Sequence, residues 1–192
     1  MSYSLSWLPS VLKSAGLEFI EVEGWLNRGH GDFGIPKGIL CHHTGGPRKG
    51  DIEDLNVLVK GRHDLKGPLC NLGLGRRGKF YVIAAGKAWH SGLGFWQGVT
   101  NGNSQLIGIE AENVGDKTDP WPEKQLIAFK KGCAAILKHI GANPIMCAGH
   151  KEFALPHGRK NDPSFDMNKF RDEIKNLMEQ KGDIPNNTTP KV

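Results

Sequence analysis

The sequence predicts a single α/β domain, with a central mixed β-sheet flanked by helices. Three observations predict it. Short apolar segments of period two alternate along the chain with amphipathic segments of helical period, the pattern of a sheet covered by helices. Twenty-six glycines and 11 prolines are spread through the 192 residues, which implies many turns. The balance of 38% hydrophobic to 23% charged residues is that of a globular chain, and a chain of this length buries roughly 70% of its unfolded surface, enough for one core. Residues 1–180 read as that domain and 181–192 as a disordered polar tail.

The elements follow in order. A short amphipathic helix is predicted over residues 6–14, where Leu8, Val11 and Leu12 fall at helical spacing ahead of Gly16. Residues 17–22 alternate as a strand, and 24–37, rich in glycine, form a loop. Residues 38–43 are a buried strand running into the polar loop Thr44-Gly-Gly-Pro. Residues 51–60 read as a helix capped by Asp51. Residues 72–84 form a hairpin around the turn Arg76-Arg-Gly-Lys. In the strand at 106–113, Ile107 and Ile109 are out of phase with Gly108 and Glu110, which puts Glu110 on the opposite face. The strongest helix spans 122–140, with Leu126, Phe129, Cys133, Ile136, Leu137 and Ile140 in one stripe. A strand at 144–149 leads into His150, and a helix at 166–180 presents Phe170, Ile174, Leu177 and Met178.

Several classes are excluded. No apolar run approaches the roughly 20 residues that cross a bilayer, so no membrane partner is expected. The N-terminus has neither the basic start nor the apolar stretch of a signal peptide, which places synthesis in a cytoplasm. The formal charge of +5 favours a polyanionic partner only weakly. No nucleic-acid signature accompanies it, so no nucleic-acid partner is expected. The chain reads as a monomer. Cys41, Cys70, Cys133 and Cys147 have no C-x-x-C spacing and, in a reducing compartment, read as core residues.

The histidines are the chemical signal. His42-His43 closes one apolar strand and His150 another, at the rim of a sheet where ligands are held. Asp162 lies in the bent loop after His150, and two imidazoles with one carboxylate and an open fourth position form a catalytic zinc set. His157 competes for the third place. Thiolates also bind zinc, but strand alternation puts Cys41 on the opposite face from His42, so Cys41 and Cys147 read as core filler.

Four segments, in order, carry a resemblance: Cys41-His-His-Thr-Gly-Gly, Ala88-Trp-His-Ser-Gly, Ile107-Gly-Ile-Glu-Ala-Glu-Asn, and Gly149-His through Gly158-Arg-Lys-Asn-Asp-Pro. Each is weak alone; together they resemble the zinc-dependent N-acetylmuramoyl-L-alanine amidases of the amidase-2 type, related to peptidoglycan recognition proteins. The segments Ser6-Trp-Leu-Pro-Ser-Val-Leu-Lys-Ser-Ala-Gly-Leu and Glu23-Gly-Trp look like phage endolysins of that family. The resemblance implies Zn2+ held by His42, His150 and Asp162, with peptidoglycan as the partner. It implies Glu110 as general base and later acid, and Lys160 as the oxyanion donor. Trp89 and His90 resemble a groove motif that contacts glycan or peptide, and Phe95 and Trp96 could line the same groove. His43 and Glu112 are expected to be structural.

The implied function is hydrolysis of the bond between the muramic-acid lactyl group and L-alanine, by an endolysin made inside a host and released onto the wall. The alternatives are a non-catalytic peptidoglycan-binding module, an amidase of soluble anhydromuropeptides, and a zinc peptidase of the stem peptide. No H-E-x-x-H helix favours the last.

Overall fold

The structure is a computed structural model that describes residues 3–180, so the tail predicted at 181–192 lies outside the described residues. Its elements are α1 (Leu8–Ser14), β1 (Phe19–Glu21), β2 (Gly38–His43), α2 (Leu55–Lys60), β3 (Gly61–Arg62), β4 (Leu65–Lys66), β5 (Leu72–Leu74), β6 (Phe80–Val82), α3 (Gly102–Gln105), β7 (Leu106–Ala111), α4 (Glu123–Ile140), β8 (Cys147–Gly149), α5 (His150–Phe153) and α6 (Met167–Glu179). Six strands form one sheet in the order β1-β6-β5-β7-β2-β8, and β3 and β4 form a separate hairpin. Within the large sheet only β5 and β6 are antiparallel. The sheet is therefore mixed, as the sequence predicts.

Strand alternation divides this sheet into two chemically different faces. Ile39 and Cys41 of β2, Ile107 and Ile109 of β7, and Cys147 of β8 point to one side, where they share a core with Phe129, Ile136 and Leu137 of α4. Helices α1 and α6 contribute Leu8, Leu12, Phe170 and Ile174 to the same core. Phe129 is fully buried there, and its truncation to alanine is expected to cost about 3–5 kcal/mol. On the other side Leu40, Leu106, Ala148 and Phe153 form a smaller cluster. Farther along that side the next residues in phase are His42 and Glu110, opposite one another in the β2–β7 register.

The sequence misplaces three features. The helix expected at 51–60 begins only at Leu55, because Asp51 is engaged elsewhere. Its carboxylate accepts from the Arg77 N–H at 2.8 Å and the Tyr81 hydroxyl at 2.9 Å, tying it to the β5–β6 turn. Of the strand expected at 144–149 only Cys147–Gly149 pairs. Pro144–Met146 coils into a 3-10 turn, since a proline has no N–H to give a ladder. The loop expected after His150 opens with α5. The β3–β4 hairpin and α3 have no sequence counterpart, being too short to show a period. Among the described residues no helix is long and apolar enough to cross a membrane.

Candidate active site

The polar face of the sheet ends in a cleft of ≈ 580 Å³ at the carboxyl ends of the parallel strands β2, β7 and β8, where open α/β sheets bind ligands. Three side chains converge in it. His42 Nδ1 lies 3.0 Å from His150 Nδ1 and 3.0 Å from Asp162 Oδ2, and His150 Nδ1 lies 3.1 Å from the same oxygen. All three residues are buried. His157 is exposed and does not line the cleft, so Asp162 takes the third place that the sequence left open.

The surrounding bonds set which nitrogen faces the cluster. His150 Nε2 donates to the Ser91 carbonyl at 2.9 Å, so the neutral ring carries its proton there and presents the Nδ1 lone pair. His42 Nε2 lies 3.1 Å from His90 Nδ1, and either nitrogen can be the donor. The His150 lone pair and the Asp162 carboxylate face one point and repel each other without a cation between them. The donor set therefore fits a metal ion, and its N/N/O composition with a fourth side open to the cleft suits a catalytic one. Burial and the neighbouring His150 lower His42 to about 4, so the ring stays neutral at neutral pH, as a ligand must.

Backbone and ion-pair contacts hold this arrangement in place. Glu152 accepts from the Gly149 N–H at 2.9 Å and forms a two-pronged pair with Arg171 of α6, at 2.7 and 2.8 Å. The Lys151 N–H donates to the Asp162 carbonyl at 2.7 Å, returning the loop to α5. Asn103 Oδ1 accepts from the backbone N–H of His90 and of Ser91, both at 2.9 Å, and so fixes the carbonyl that orients His150. His90 packs against β7 where residue 108 has no side chain: a Cβ at Gly108 would lie 2.8 Å from the imidazole. Sequence reasoning missed Ser91, Asn103, Glu152 and Arg171, whose partners are distant in the chain. The polar run from Trp89 to Gly92 is the one local signal that could have pointed to Ser91.

Glu110 stands beside the cluster, its Oε1 3.8 Å from His42 Nδ1, and its Oε2 is buried with no hydrogen-bond partner. Burial first, then the Asp162 charge, raises its carboxyl well above the usual range, and Lys160 opposes the rise. Lys160 lines the cleft from the exposed loop. Trp89 forms a wall, its ring stacked on His30 with centroids 4.5 Å apart. Phe95 and Trp96 do not line the cleft, and the Trp96 indole donates to the Ile145 carbonyl at 2.7 Å. His43 packs against Gly115 and Trp121 and also reaches the rim of the cleft. Glu112 is fully buried and accepts from the Asp54 N–H at 3.3 Å, a contact that holds the loop before α2.

Known proteins share parts of this chain. It is 32% identical over 93 residues to 1,6-anhydro-N-acetylmuramyl-L-alanine amidase AmpD of Enterobacter cloacae, a match spanning 47% of each chain. The chain thus covers about half the length of that curated relative. The N-acetylmuramyl-L-alanine amidase AmiD from E. coli, solved with anhydro-N-acetylmuramic acid-L-Ala-D-gamma-Glu-L-Lys, superposes with a TM-score of 0.59 at 20% identity, over 80% of this chain and 65% of that one. The endolysin amidase LysCS from Clostridium intestinale gives 0.58 at 15% identity, over 82% and 95%. These two likenesses show the fold. Residues 32–165 match the Amidase_2 family, N-acetylmuramoyl-L-alanine amidase, and the chain belongs to that family.

Proposed function

We propose that this chain is a zinc-dependent hydrolase of the amide bond between N-acetylmuramic acid and L-alanine in peptidoglycan, with residues 1–180 as its catalytic unit. The observation that carries the reading is a free carboxylate oxygen, Glu110 Oε2, buried beside a convergent His42–His150–Asp162 set. Zinc bound there supplies Lewis acidity, polarising a substrate carbonyl and lowering the pKa of water toward about 7.

The chain's own residues supply the rest. Glu110 accepts a proton from the attacking water and returns it to the leaving alanine nitrogen. A carboxyl raised above its ordinary range serves both steps better than an unshifted one. The Lys160 ammonium faces the cleft where the carbonyl oxygen gains charge and offsets that charge. Ser91, placed by Asn103, holds His150 in the tautomer that a metal requires. Trp89 gives the glycan or stem peptide a flat wall to pack on. The basic chain, the phage-like N-terminal segments and the endolysin fold likeness support a lytic role, in which a monomer made in a host cytoplasm reaches the wall after release.

Mass spectrometry of products released from purified peptidoglycan tests this. Stem peptides beginning with L-alanine are expected, lost with a zinc chelator and restored by zinc. Cleavage inside the stem would establish a peptidase instead, and retention on the wall without release a binding module. Parallel assay on soluble anhydromuropeptides, the substrate class for which the Enterobacter cloacae relative is named, sets the preferred substrate size.

A further inference from the structure

On the face of the sheet away from the cleft, a second set of metal-ligating atoms converges. Cys41 of β2, Cys133 of α4 and Cys147 of β8 meet there with all three sulfurs within 4.8 Å of one another. The sulfurs of Cys41 and Cys147 are 3.5 Å apart. All three side chains are fully buried. Three sulfurs each about 2.3 Å from one ion in a plane lie about 4 Å apart, so small side-chain rotations bring these onto a common centre.

A separate observation points to the same ligand chemistry. Gly149 stands opposite Cys41 in the β2–β8 register. With no side chain of its own, it leaves room for Met167 of α6, whose Sδ lies 3.2 Å from where a Cβ at residue 149 would be. A thioether therefore borders the three thiols on the same face of the sheet. The remaining members of this core are hydrocarbon, including Ile39, Ile109, Phe129 and Ile136.

We propose that Cys41, Cys133 and Cys147 form a second metal site, for Cu(I), behind the zinc site. Sulfur-only donors select Cu(I) among the common ions. Structural zinc takes four ligands, commonly thiolates or imidazoles, and this core offers only three of those. Charge argues the same way. Each thiolate formed in this buried, hydrocarbon-lined place costs desolvation. A monovalent ion needs only one thiolate to become neutral, the other two thiols binding through lone pairs. A divalent ion needs two thiolates for the same neutrality, one more proton removed from this core. Coordination here is not a redox step: the ion enters as Cu(I), sulfur lone pairs form the bonds, and the displaced proton leaves to solvent.

The test starts from zinc-loaded protein, equilibrated without oxygen against Cu(I) held by bathocuproine disulfonate. One Cu(I) per chain is expected to leave the chelator with zinc content unchanged, and X-ray absorption should show sulfur-only neighbours. Cys133→Ala and Cys147→Ala should each weaken retention by about tenfold or more, while thermal unfolding verifies that the variants fold. Failure to withdraw Cu(I), equal retention by wild type and variants, or zinc release in step with copper uptake would each overturn the site. If neither variant folds, the wild-type absorption spectrum decides, since nitrogen or oxygen neighbours place the copper elsewhere. None of these readouts depends on amidase activity.

Discussion

Residues 41 and 42 are neighbours in β2, yet they belong to opposite environments. His42 joins His150 and Asp162 at the floor of an open cleft, and hydrogen bonds orient its neighbours: Ser91 for His150, Asn103 for the His90 segment. Cys41 joins Cys133 and Cys147, all three fully buried, among hydrocarbon side chains. Both clusters draw on β2 and on the segment from β8 to α5. The comparison teaches that one residue of strand phase separates a polar, oriented donor set from a dry, self-contained one. Access and a buried, unpartnered carboxylate oxygen on Glu110 are what distinguish the cleft side.

The largest expected effect comes from removing a donor on the cleft side. Asp162→Ala should release zinc and lower activity by well over the about 100-fold that outer-shell changes produce, measured by metal analysis and product release together. Glu110→Gln should instead keep its zinc and lose about 10²- to 10⁴-fold in kcat/KM. Equal loss of metal in both variants would make Glu110 a ligand rather than a base. Asn103→Ala tests the orienting network and is expected to weaken zinc affinity about 10- to 100-fold, read by competition with a chromogenic chelator.

The smallest effect concerns Glu112, the acidic neighbour without access to the cleft. Burial raises its carboxyl from 4.5 to about 7, so between those values the folded chain holds a proton that the unfolded chain has released. Stability should then fall as pH rises through that window. Glu112→Gln removes the dependence. It is expected to gain roughly 1 kcal/mol at pH 8, or about 2–4 °C in Tm, with no gain at pH 4. A gain of equal size at both pH values would rule out protonation as its source.

Much of this contrast is legible in the sequence. Period two in β2 and β7 puts His42 and Glu110 together and Cys41 behind them, and the apolar stripe announces α4 without any tertiary information. The arrival of Cys133 beside Cys41 and Cys147 is not legible, because it depends on how α4 is rotated over the sheet, and the stripe reads its cysteine as one more apolar group. Asp51 shows the reverse failure. Its local sequence suits a helix cap, but the carboxylate finds better donors in the turn between β5 and β6. The β3–β4 hairpin, with Arg62 and Leu65 beside the cleft, is held by two-residue strands that leave no periodic trace.

The dependence of His150 on α6 also orders events during synthesis. Translation delivers β2 and His42 early, and His90 next, but the cluster is incomplete until His150 and Asp162 emerge. The segment bearing them is fastened only when Arg171 reaches Glu152. Domains form as units as the chain leaves the ribosome, so a nascent chain remains without the assembled His42–His150–Asp162 cluster until almost the whole described fold has been made. On the proposed function, competence then arises late and all at once, and truncation anywhere before Arg171 leaves the cluster unfastened.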